Sequence, residues 1–515
     1  MHMHMHIPLL PKHPIVRPLA TFLFLALMTY SLLAHWQQHG GGKPMFDESL
    51  EHNAFVHEAD RPKPDTQVAV SHPETPTTPG GNKRLVVAHF MLGNTYPFTK
   101  LNWEETFDLA EESGLDGLIL NLGREEWQFR QARAAYLIAA QRVKAPIIGR
   151  NPIRLALSLD LNVMDSSQWD DAVQLTTKIA GLMGSPAQLL HDGKPLLTAF
   201  DGHNAAWGFN GWKGFMGELN SKMRYEVSFW PAWFQPPERL IDNELIDGLF
   251  SWNGAWPMAN RHISLSIEDM AFIASSKPFM AAVSPLFFTH YGKTGEWAFN
   301  KNWIYRSDDL LYPSRWSSIL ALTPARAPEI VQVISWNDYG ESHNIAPVMG
   351  AEPGSEAWTT GMDHVAFREM TGYFARRWRD GAPEVEDEIV VWMWYRLNPK
   401  TVQASNDTVG RPDNANWALD LINALILVPE GLENVELFIT NGPSRHNNNN
   451  GKHLDAGRSN ALTIPFLPGS VHFEIKSSMG THMRHSAHDI HSTAEHYNFN
   501  MWSGSWRAKV PRTKG

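Results

Sequence analysis

Short, continuously apolar runs alternate with longer amphipathic stretches between residues 85 and 337. Unbroken apolar runs are typical of strands buried on both faces of a parallel sheet, and amphipathic stretches are typical of the helices that cover it. The predicted strands are residues 85–90, 117–121, 154–160, 196–202, 225–230, 248–256, 279–284 and 330–337. The predicted helices are residues 103–113, 130–141, 168–183, 267–275 and 308–320.

Eight parallel strands separated by helices are the number that closes a barrel, so we expect an α/β fold with a (β/α)8 TIM-type barrel over residues 85–385. Shorter β-like runs with turns between them follow, and they predict a smaller β-rich accessory domain over residues 386–475. Residues 476–515 are polar, and four histidines recur there at every third position, from His482 to His491. Carboxylates at ligand spacing do not accompany them, so we expect a polar surface or disordered tail rather than a metal site.

The amino-terminal segment has the pattern of a signal that targets a protein to the secretory pathway. Residues 19–34, LATFLFLALMTYSLLA, are almost wholly apolar and follow a stretch with Lys12 and Arg17 and no acid. Residues 1–36 are therefore predicted to be a cytoplasmic tail with a signal-anchor, or a signal peptide, and residues 37–84 a flexible linker. Leu32 does not suit a cleavage site that ends at Ala34, which favours an uncleaved anchor. Either form directs the protein to the secretory pathway, and so to the cell surface (as a single-pass type II membrane protein) or outside the cell.

Composition removes several classes of function. Lys and Arg number 44 against 54 Asp and Glu, a net charge of −10, which is unsuited to binding a phosphate backbone, so no nucleic-acid partner is expected. The chain has no cysteine, which excludes disulfides, zinc–thiolate sites and cysteine nucleophiles. Its 21 tryptophans suit either a large aromatic core or platforms for sugar rings.

Polar residues stand at the carboxyl ends of the predicted strands, where a barrel carries its active site. Asp338 and Glu341 follow the last strand, VQVISW, and Gly340 between them permits a sharp bend. Glycoside hydrolysis needs two carboxyl groups, one to protonate the departing oxygen and one to act as base or nucleophile. The two acids are therefore the predicted catalytic pair.

Several segments resemble the fungal endo-α-1,3-glucanases called mutanases, glycoside hydrolase family 71. The segments are AHFMLGNTYPFTKLNWEETFDLAEESGLDGLILNLG (88–123), SLDLN (158–162), LFSWNGAWP (249–257), KNWIYRSDDLLYPSRW (301–316) and ISWNDYGESHNI (334–345). The resemblance covers about residues 85–400 and implies a barrel that hydrolyses α-1,3-glucan, endo-acting and with inversion at the anomeric carbon. It implies Glu341 as the general acid and Asp338 as the base.

Other strand-end residues are expected to bind the polysaccharide. Asp160 would bind a sugar hydroxyl or serve as the alternative base. The remaining predicted substrate contacts are His89, Asn121, Trp230, Trp252, Asn253, Trp256, Trp336, Asn337, Tyr339 and His343.

An inverting pair needs carboxyl groups about 6.5–9.5 Å apart, and burial beside Asp338 would keep Glu341 protonated. No metal or cofactor is expected. Two other functions stay open: a hydrolase of another α-linked glycan, such as an α-mannoside, on the same barrel, and a catalytically silent glucan-binding protein of the wall. Metal binding by the histidine-rich tail is a weaker third. The sequence does not fix the oligomeric state.

Overall fold

The computed structural model describes residues 84–442 and 451–510. The predicted anchor or signal at residues 1–36, and all but the last residue of the predicted linker at 37–84, lie outside the described residues. Among the helices of the described part, none is both long and apolar enough to cross a membrane.

A curled, mainly parallel sheet forms the first half of the described chain. Its strands and those of an adjoining hairpin are β1 (Leu85–Met91), β2 (Gly117–Leu122), β3 (Arg154–Asp160), β4 (Leu190–His191), β5 (Lys194–Phe200), β6 (Ser228–Phe229), β7 (Leu249–Phe250), β8 (Phe279–Val283), β9 (Phe288–Tyr291), β10 (Lys301–Ile304) and β11 (Ile330–Val333). The parallel strands are hydrogen bonded in the order β6-β5-β3-β2-β1-β11-β8-β7, and β4 pairs antiparallel with β5. Each strand predicted from an apolar run has a counterpart in this path.

Helices lie between the strands and cover the outer face of the sheet. They are α1 (Lys100–Glu112), α2 (Glu126–Lys144), α3 (Trp169–Met183), α4 (Gly211–Met223), α5 (Pro237–Ile241), α6 (Ile267–Ala274), α7 (Leu311–Leu320), α8 (Glu356–Thr359) and α9 (Val365–Asp380). Their apolar stripes pack with alternate strand residues in one large core, which includes Val86, Leu118 and Trp336. The opposite strand residues, such as Val87, Ile119 and Met280, form a second core inside the curl of the sheet.

The short strands β6 and β7 are the last strands at the two ends of this order, and residues beside them are in contact. The Asp247 N–H donates to Phe229 O at 3.0 Å, and the Phe229 N–H donates to the Asp247 carboxylate at 2.8 Å. The indole of Trp230 lies against Gly248, where an added Cβ would overlap the ring. This close approach requires a residue without a side chain at position 248.

The second half of the described chain forms two antiparallel sheets. Their strands are β12 (Glu388–Arg396), β13 (Leu421–Val428), β14 (Val435–Thr440), β15 (Lys452–Leu454), β16 (Arg458–Pro465), β17 (His472–Ser477), β18 (Gly480–Ser486) and β19 (Met501–Lys509). The sheets have the orders β16-β13-β12-β19 and β15-β14-β17-β18, and they share one apolar core. The first sheet packs on α9, where Ser503 accepts a hydrogen bond from the Ala366 N–H.

The described part of the predicted polar tail over residues 476–515 includes the strands β18 and β19. Strand β18 pairs with β17, and β19 pairs with the whole of β12 from Glu388 to Arg396. The histidines lie on or beside these strands and make separate contacts: His482 with Ser477 at 2.6 Å, and His485 with the ring of Phe473. Strand β18 lies at the edge of its sheet and is mostly exposed, so its polar composition resembles that of an unstructured tail.

We expect Gly248→Ala to destabilise the protein by about 1–3 kcal/mol, because the new methyl group must displace the buried indole of Trp230. Gly217→Ala is the matched control: it lies within α4 with no atom near the added Cβ, and it should stabilise by about 0.5–1 kcal/mol through helix propensity. Urea unfolding of both variants measures the difference. Equal stability of the two variants would contradict the close approach at Gly248.

Candidate active site

The turn after β11 brings two carboxyl groups together. The Asp338 N–H donates to Ser335 Oγ at 2.8 Å, and the Glu341 N–H donates to Asp338 Oδ1 at 3.2 Å. These bonds fold the backbone of residues 335–341 so that both acids lie on one side of the turn. The side chains of Asp338 and Glu341 are each 18% exposed, so they are accessible from the carboxyl end of the sheet.

Glu341 has a partner at each carboxylate oxygen. Lys301 Nζ donates to Oε1 at 3.0 Å, and His343 Nε2 lies 3.0 Å from Oε2. The other ring nitrogen of His343 lies 2.9 Å from Ser335 Oγ, and its Nε2 is 4.0 Å from Asp338 Oδ2. His343 is fully buried and fixed between the two acids.

The two acids have opposite electrostatic environments. Burial, reinforced by the charge of Glu341, raises the pKa of Asp338 to about 6. Burial alone would also raise the pKa of Glu341, but the charge of Lys301 and the hydrogen bond from His343 outweigh it and hold that pKa well below its usual range. These pKa directions are the opposite of those expected for a protonated Glu341 beside an ionised Asp338. The reason is Lys301, which the sequence-based reasoning did not include.

The distance between the acids also departs from the expectation. One carboxylate oxygen of Asp338, one of Glu341 and a ring nitrogen of His343 all lie within 4.8 Å of one another. An inverting acid and base are separated by about 6.5–9.5 Å to leave room for the attacking water. This pair alone is too close for that role, so inversion here requires a third carboxyl group.

Asp160 ends β3 and is a third acid that interacts with Lys301. Burial raises the pKa of Asp160 to about 7, opposed by the hydrogen bond from the Asn162 N–H, 3.1 Å from Oδ1, and by the charge of Lys301. Lys301 in turn interacts with Glu341, Asp338 and Asp160. Burial disfavours its charge, but these acids outweigh burial and raise the pKa of Lys301. The charge of one ammonium group thus lowers the pKa of all three carboxyl groups.

His89 and Trp252 lie together at the inner face of the sheet. Their rings meet edge to face at 4.7 Å, and the indole also contacts the ring of Phe200. Burial and the neighbouring His343 lower the pKa of His89 to about 3, so its imidazole is neutral. Trp252 and Asn253 are partly exposed, whereas Asn121 is buried at the end of β2. A partly exposed indole beside the acids is suited to stacking on a sugar ring.

Three of the tryptophans that were predicted to bind sugar, Trp230, Trp256 and Trp336, are each no more than 2% exposed. Trp230 packs against His191 inside the sheet, and Trp336 lies in the outer core. Trp256 donates to Leu286 O and packs 5.5 Å from the ring of His343.

Asn337 and Tyr339 anchor the turn of residues 335–341, which carries the predicted catalytic pair. The Asn337 amide bonds both the N–H and the C=O of Met91, which ties the turn to β1. The Tyr339 hydroxyl donates to Met349 O at 2.7 Å and accepts from the Met349 N–H at 3.0 Å. Single-residue patterns do not separate such anchors from ligands, because both are polar or aromatic residues near a strand end.

Lys301 is the residue that sequence reasoning missed. It begins β10, in an antiparallel hairpin with β9 that the apolar pattern did not predict. Its only signal in the sequence is a lysine at the head of the aromatic run KNWIY, within a segment that carries the family resemblance.

Asp338, Glu341 and His343 could also supply ligands to a metal ion, since their ligand atoms are close together. Lys301 already gives the cluster a positive charge 3.0 Å from Glu341. The described residues offer a second such group, His191, Asp192 and Glu329, at the amino end of the sheet. Its two closest contacts use different nitrogens of His191, which does not suit a single ion.

The chain is similar to fungal polysaccharide hydrolases. The model of glycosyl hydrolase family 71 matches residues 82–514. A glucan endo-1,3-alpha-glucosidase of Schizosaccharomyces pombe is 30% identical over 82% of this chain and 94% of its own length. A mutanase of Penicillium rubens is 27% identical over 82% of this chain and 88% of its own. Among solved structures, an endo-alpha-mannosidase of Bacteroides thetaiotaomicron has 13% identity and a TM-score of 0.37, covering 55% of this chain and 80% of that one.

We expect Tyr339→Phe to destabilise the protein by about 1–3 kcal/mol, because it leaves the N–H and C=O of Met349 without their partner. The exposed Tyr225 is the control, and Tyr225→Phe should change the free energy of unfolding by less than about 0.5 kcal/mol. Urea unfolding gives both values. An unchanged stability of Tyr339→Phe together with weaker binding of α-1,3-glucan would restore Tyr339 as a sugar contact.

Proposed function

Because the chain belongs to glycosyl hydrolase family 71, we propose that it hydrolyses the α-1,3-glucosidic bonds of α-1,3-glucan, at internal positions. The names of its relatives, a glucan endo-1,3-alpha-glucosidase and a mutanase, support this substrate and reaction. The observation that carries the chemistry is the pair Asp338 and Glu341, which have opposite pKa shifts at one end of the parallel sheet. Carboxyl groups whose environments push their pKa values apart are suited to separate roles in acid–base catalysis.

We propose that Asp338 is the general acid. A pKa of about 6 leaves it protonated in mildly acidic solution, so it can donate its proton to the departing glycosidic oxygen. Glu341 stays ionised between Lys301 and His343. Its negative charge keeps the proton on Asp338 in the ground state and stabilises the positive charge that develops on the sugar.

Asp160 is the proposed general base. Glu341 is a weak base because its pKa is low, and Lys301 and His343 occupy both of its oxygens. Asp160 combines a raised pKa with a position at the end of a different strand, β3. It would remove a proton from the water that attacks the anomeric carbon while Asp338 protonates the leaving oxygen. The product would then have the inverted, β configuration.

The scaffold of this site is proposed to be a complete (β/α)8 barrel. The hydrogen bonds between Asp247 and Phe229, and the contact of Gly248 with Trp230, support closure between β6 and β7. A glucose ring would stack on the partly exposed Trp252 near the acids. Since its substrate is a wall polysaccharide, the enzyme would act at the cell surface or outside the cell, which the apolar segment at residues 19–34 supports.

We expect Asp338→Asn, Glu341→Gln and Asp160→Asn each to lower reducing-sugar release from α-1,3-glucan about 100- to 10,000-fold, because each removes a charge or a proton that the reaction needs. The measurement uses α-1,4-glucan, β-1,3-glucan and α-mannan as control substrates. Asp165→Asn is the control variant, since this carboxylate bonds the N–H of Ser167 on the surface.

Three outcomes would change the proposal. A wild-type protein that binds α-1,3-glucan and releases nothing would be a binding protein. Release from α-mannan instead would identify another glycan. Proton NMR of the first product identifies the base: the β anomer is expected, and the α anomer would make Glu341 a nucleophile and remove Asp160 from the mechanism.

We expect kcat/KM to have a narrow maximum between about pH 6 and 7. Activity falls as the pH rises through the pKa of Asp338, about 6, because the acid loses its proton. It falls as the pH decreases through the pKa of Asp160, about 7, because the base becomes protonated. Initial rates on a soluble α-1,3-linked oligosaccharide measure the profile. Activity that stays constant from pH 6 down to pH 4 would show that Asp160 is not the base.

A further inference from the structure

The β9–β10 hairpin joins the catalytic turn on one side. The Phe288 N–H donates to Glu341 O at 3.2 Å, and the ring of Phe287 lies 5.9 Å from that of His343. Lys301 extends from the first residue of β10 to the Glu341 carboxylate. The position of the ammonium group therefore depends on the position of this hairpin.

The other side of the hairpin is held by the loop of residues 405–414, which lies between β12 and β13. Backbone bonds join them: the Asp413 N–H donates to Asn302 O at 2.9 Å, and the Ile304 N–H donates to Asp413 O at 3.1 Å. The side chain of Asn302, next to Lys301, donates to Gly410 O at 3.0 Å.

A buried His–Asp contact completes the attachment. His290 on β9 has Nδ1 2.7 Å from Asn302 Oδ1 and Nε2 2.7 Å from Asp407 Oδ2. The side chains of His290 and Asp407 are only 4% and 2% exposed. The rings of Trp358 and Tyr497 cover the imidazole.

Asp407 organises its own loop as well. Its carboxylate accepts hydrogen bonds from the N–H groups of Val409, Gly410 and Tyr497, at 2.8–2.9 Å. Burial alone would raise the pKa of Asp407, but the bonds from Tyr497 and Gly410, with His290, outweigh it and lower that pKa. A single ionised carboxylate thus fixes both the loop and the hairpin.

We propose that Asp407 and His290 are positioning residues for the hydrolytic reaction, through which the β-sheet half of the chain holds the Lys301 ammonium against the catalytic acids. The proposal rests on the proposed function, because the acids it concerns are those of that site. It gives the second half of the chain a part in the chemistry, in addition to any part in stability.

The physical argument concerns the lysine stem. Lys301 has a flexible four-carbon side chain, so its charge is held near Glu341 only while the backbone of β10 stays in place. The titratable groups that face the ammonium are Glu341, Asp338 and Asp160. Lys301 lowers the pKa of each of the two aspartates, against the effect of burial. A hairpin that moves away would let both of those pKa values rise.

The test uses the full chain with Asp407→Ala and, as a milder second variant, Asn302→Ala. Glu369→Gln is the matched control. Glu369 on α9 accepts hydrogen bonds from Trp392, Ser505 and Arg507 of the antiparallel sheet, so it also joins the two halves of the chain. None of these bonds involves the hairpin. The readouts are kcat and KM on a soluble α-1,3-linked oligosaccharide, the pH profile of kcat/KM, and urea unfolding.

We expect Asp407→Ala and Asn302→Ala to lower kcat about 10- to 100-fold with little change in KM, since the charge is displaced by about 1 Å or more. The maximum of the pH profile should move upward by roughly half a pH unit, because Asp338 and Asp160 lose a positive neighbour. Glu369→Gln should lose stability and keep the wild-type profile. An unshifted maximum in both hairpin variants, or an equal shift in Glu369→Gln, would overturn the proposal.

A failure of the proposed function is distinguishable from a failure of this inference. If the wild-type protein does not hydrolyse α-1,3-glucan, crystal structures of the wild type and of Asn302→Ala still compare the distance from Lys301 Nζ to Glu341. An unchanged distance would overturn the positioning role, and a lengthened one would support it.

Discussion

The contact between Lys301 and Glu341 controls the electrostatics of the whole cleft. Lys301 interacts with three acids, Glu341, Asp338 and Asp160, and burial alone would raise the pKa of each of them. The ammonium group of Lys301 and the imidazole of His343 lower the pKa of Glu341, whereas the charge of Glu341 adds to burial in raising that of Asp338. The difference between the pKa values of the two acids comes from their partners, because both side chains are exposed to the same extent, 18%.

The parallel sheet makes this arrangement possible because its two ends are built differently. At the amino end, the indole of Trp230 fills the interior beside Gly248, and His191 bonds Glu329 at 2.6 Å. Apolar layers follow toward the middle of the sheet. The polar side chains lie at the carboxyl end of the sheet. The loops there can differ in sequence without changing the packing of the apolar layers.

Unbroken apolar runs of strand length, separated by amphipathic stretches, were sufficient to predict the eight parallel strands, since strands covered by helices are buried on both faces. They could not reveal the β9–β10 hairpin, because its short strands, FTHY and KNWI, mix polar with apolar residues. They could not reveal strand β19 either, because its buried positions are interrupted by part-exposed and exposed ones. The pair of acids after the last strand could be predicted from the sequence, but the directions of their pKa shifts could not. Lys301, which lowers the pKa of Glu341, lies 40 residues away in the chain and comes from another element. A tryptophan can stack on a sugar ring only if its indole is exposed. Trp252 is partly exposed and Trp336 is buried, and the sequence around each residue does not indicate this difference.

Strand β19 has a consequence for synthesis. It pairs along the full length of β12, from which it is separated by more than a hundred residues, and it supplies the edge against α9. The sheet that holds the 405–414 loop is therefore incomplete until residues 501–509 have left the ribosome. At about 5–20 residues per second, β12 waits on the order of 5–20 s for its partner. During that interval one edge of β12 lacks its partner, and an unpaired strand edge is a place where an unfinished chain can pair with another chain.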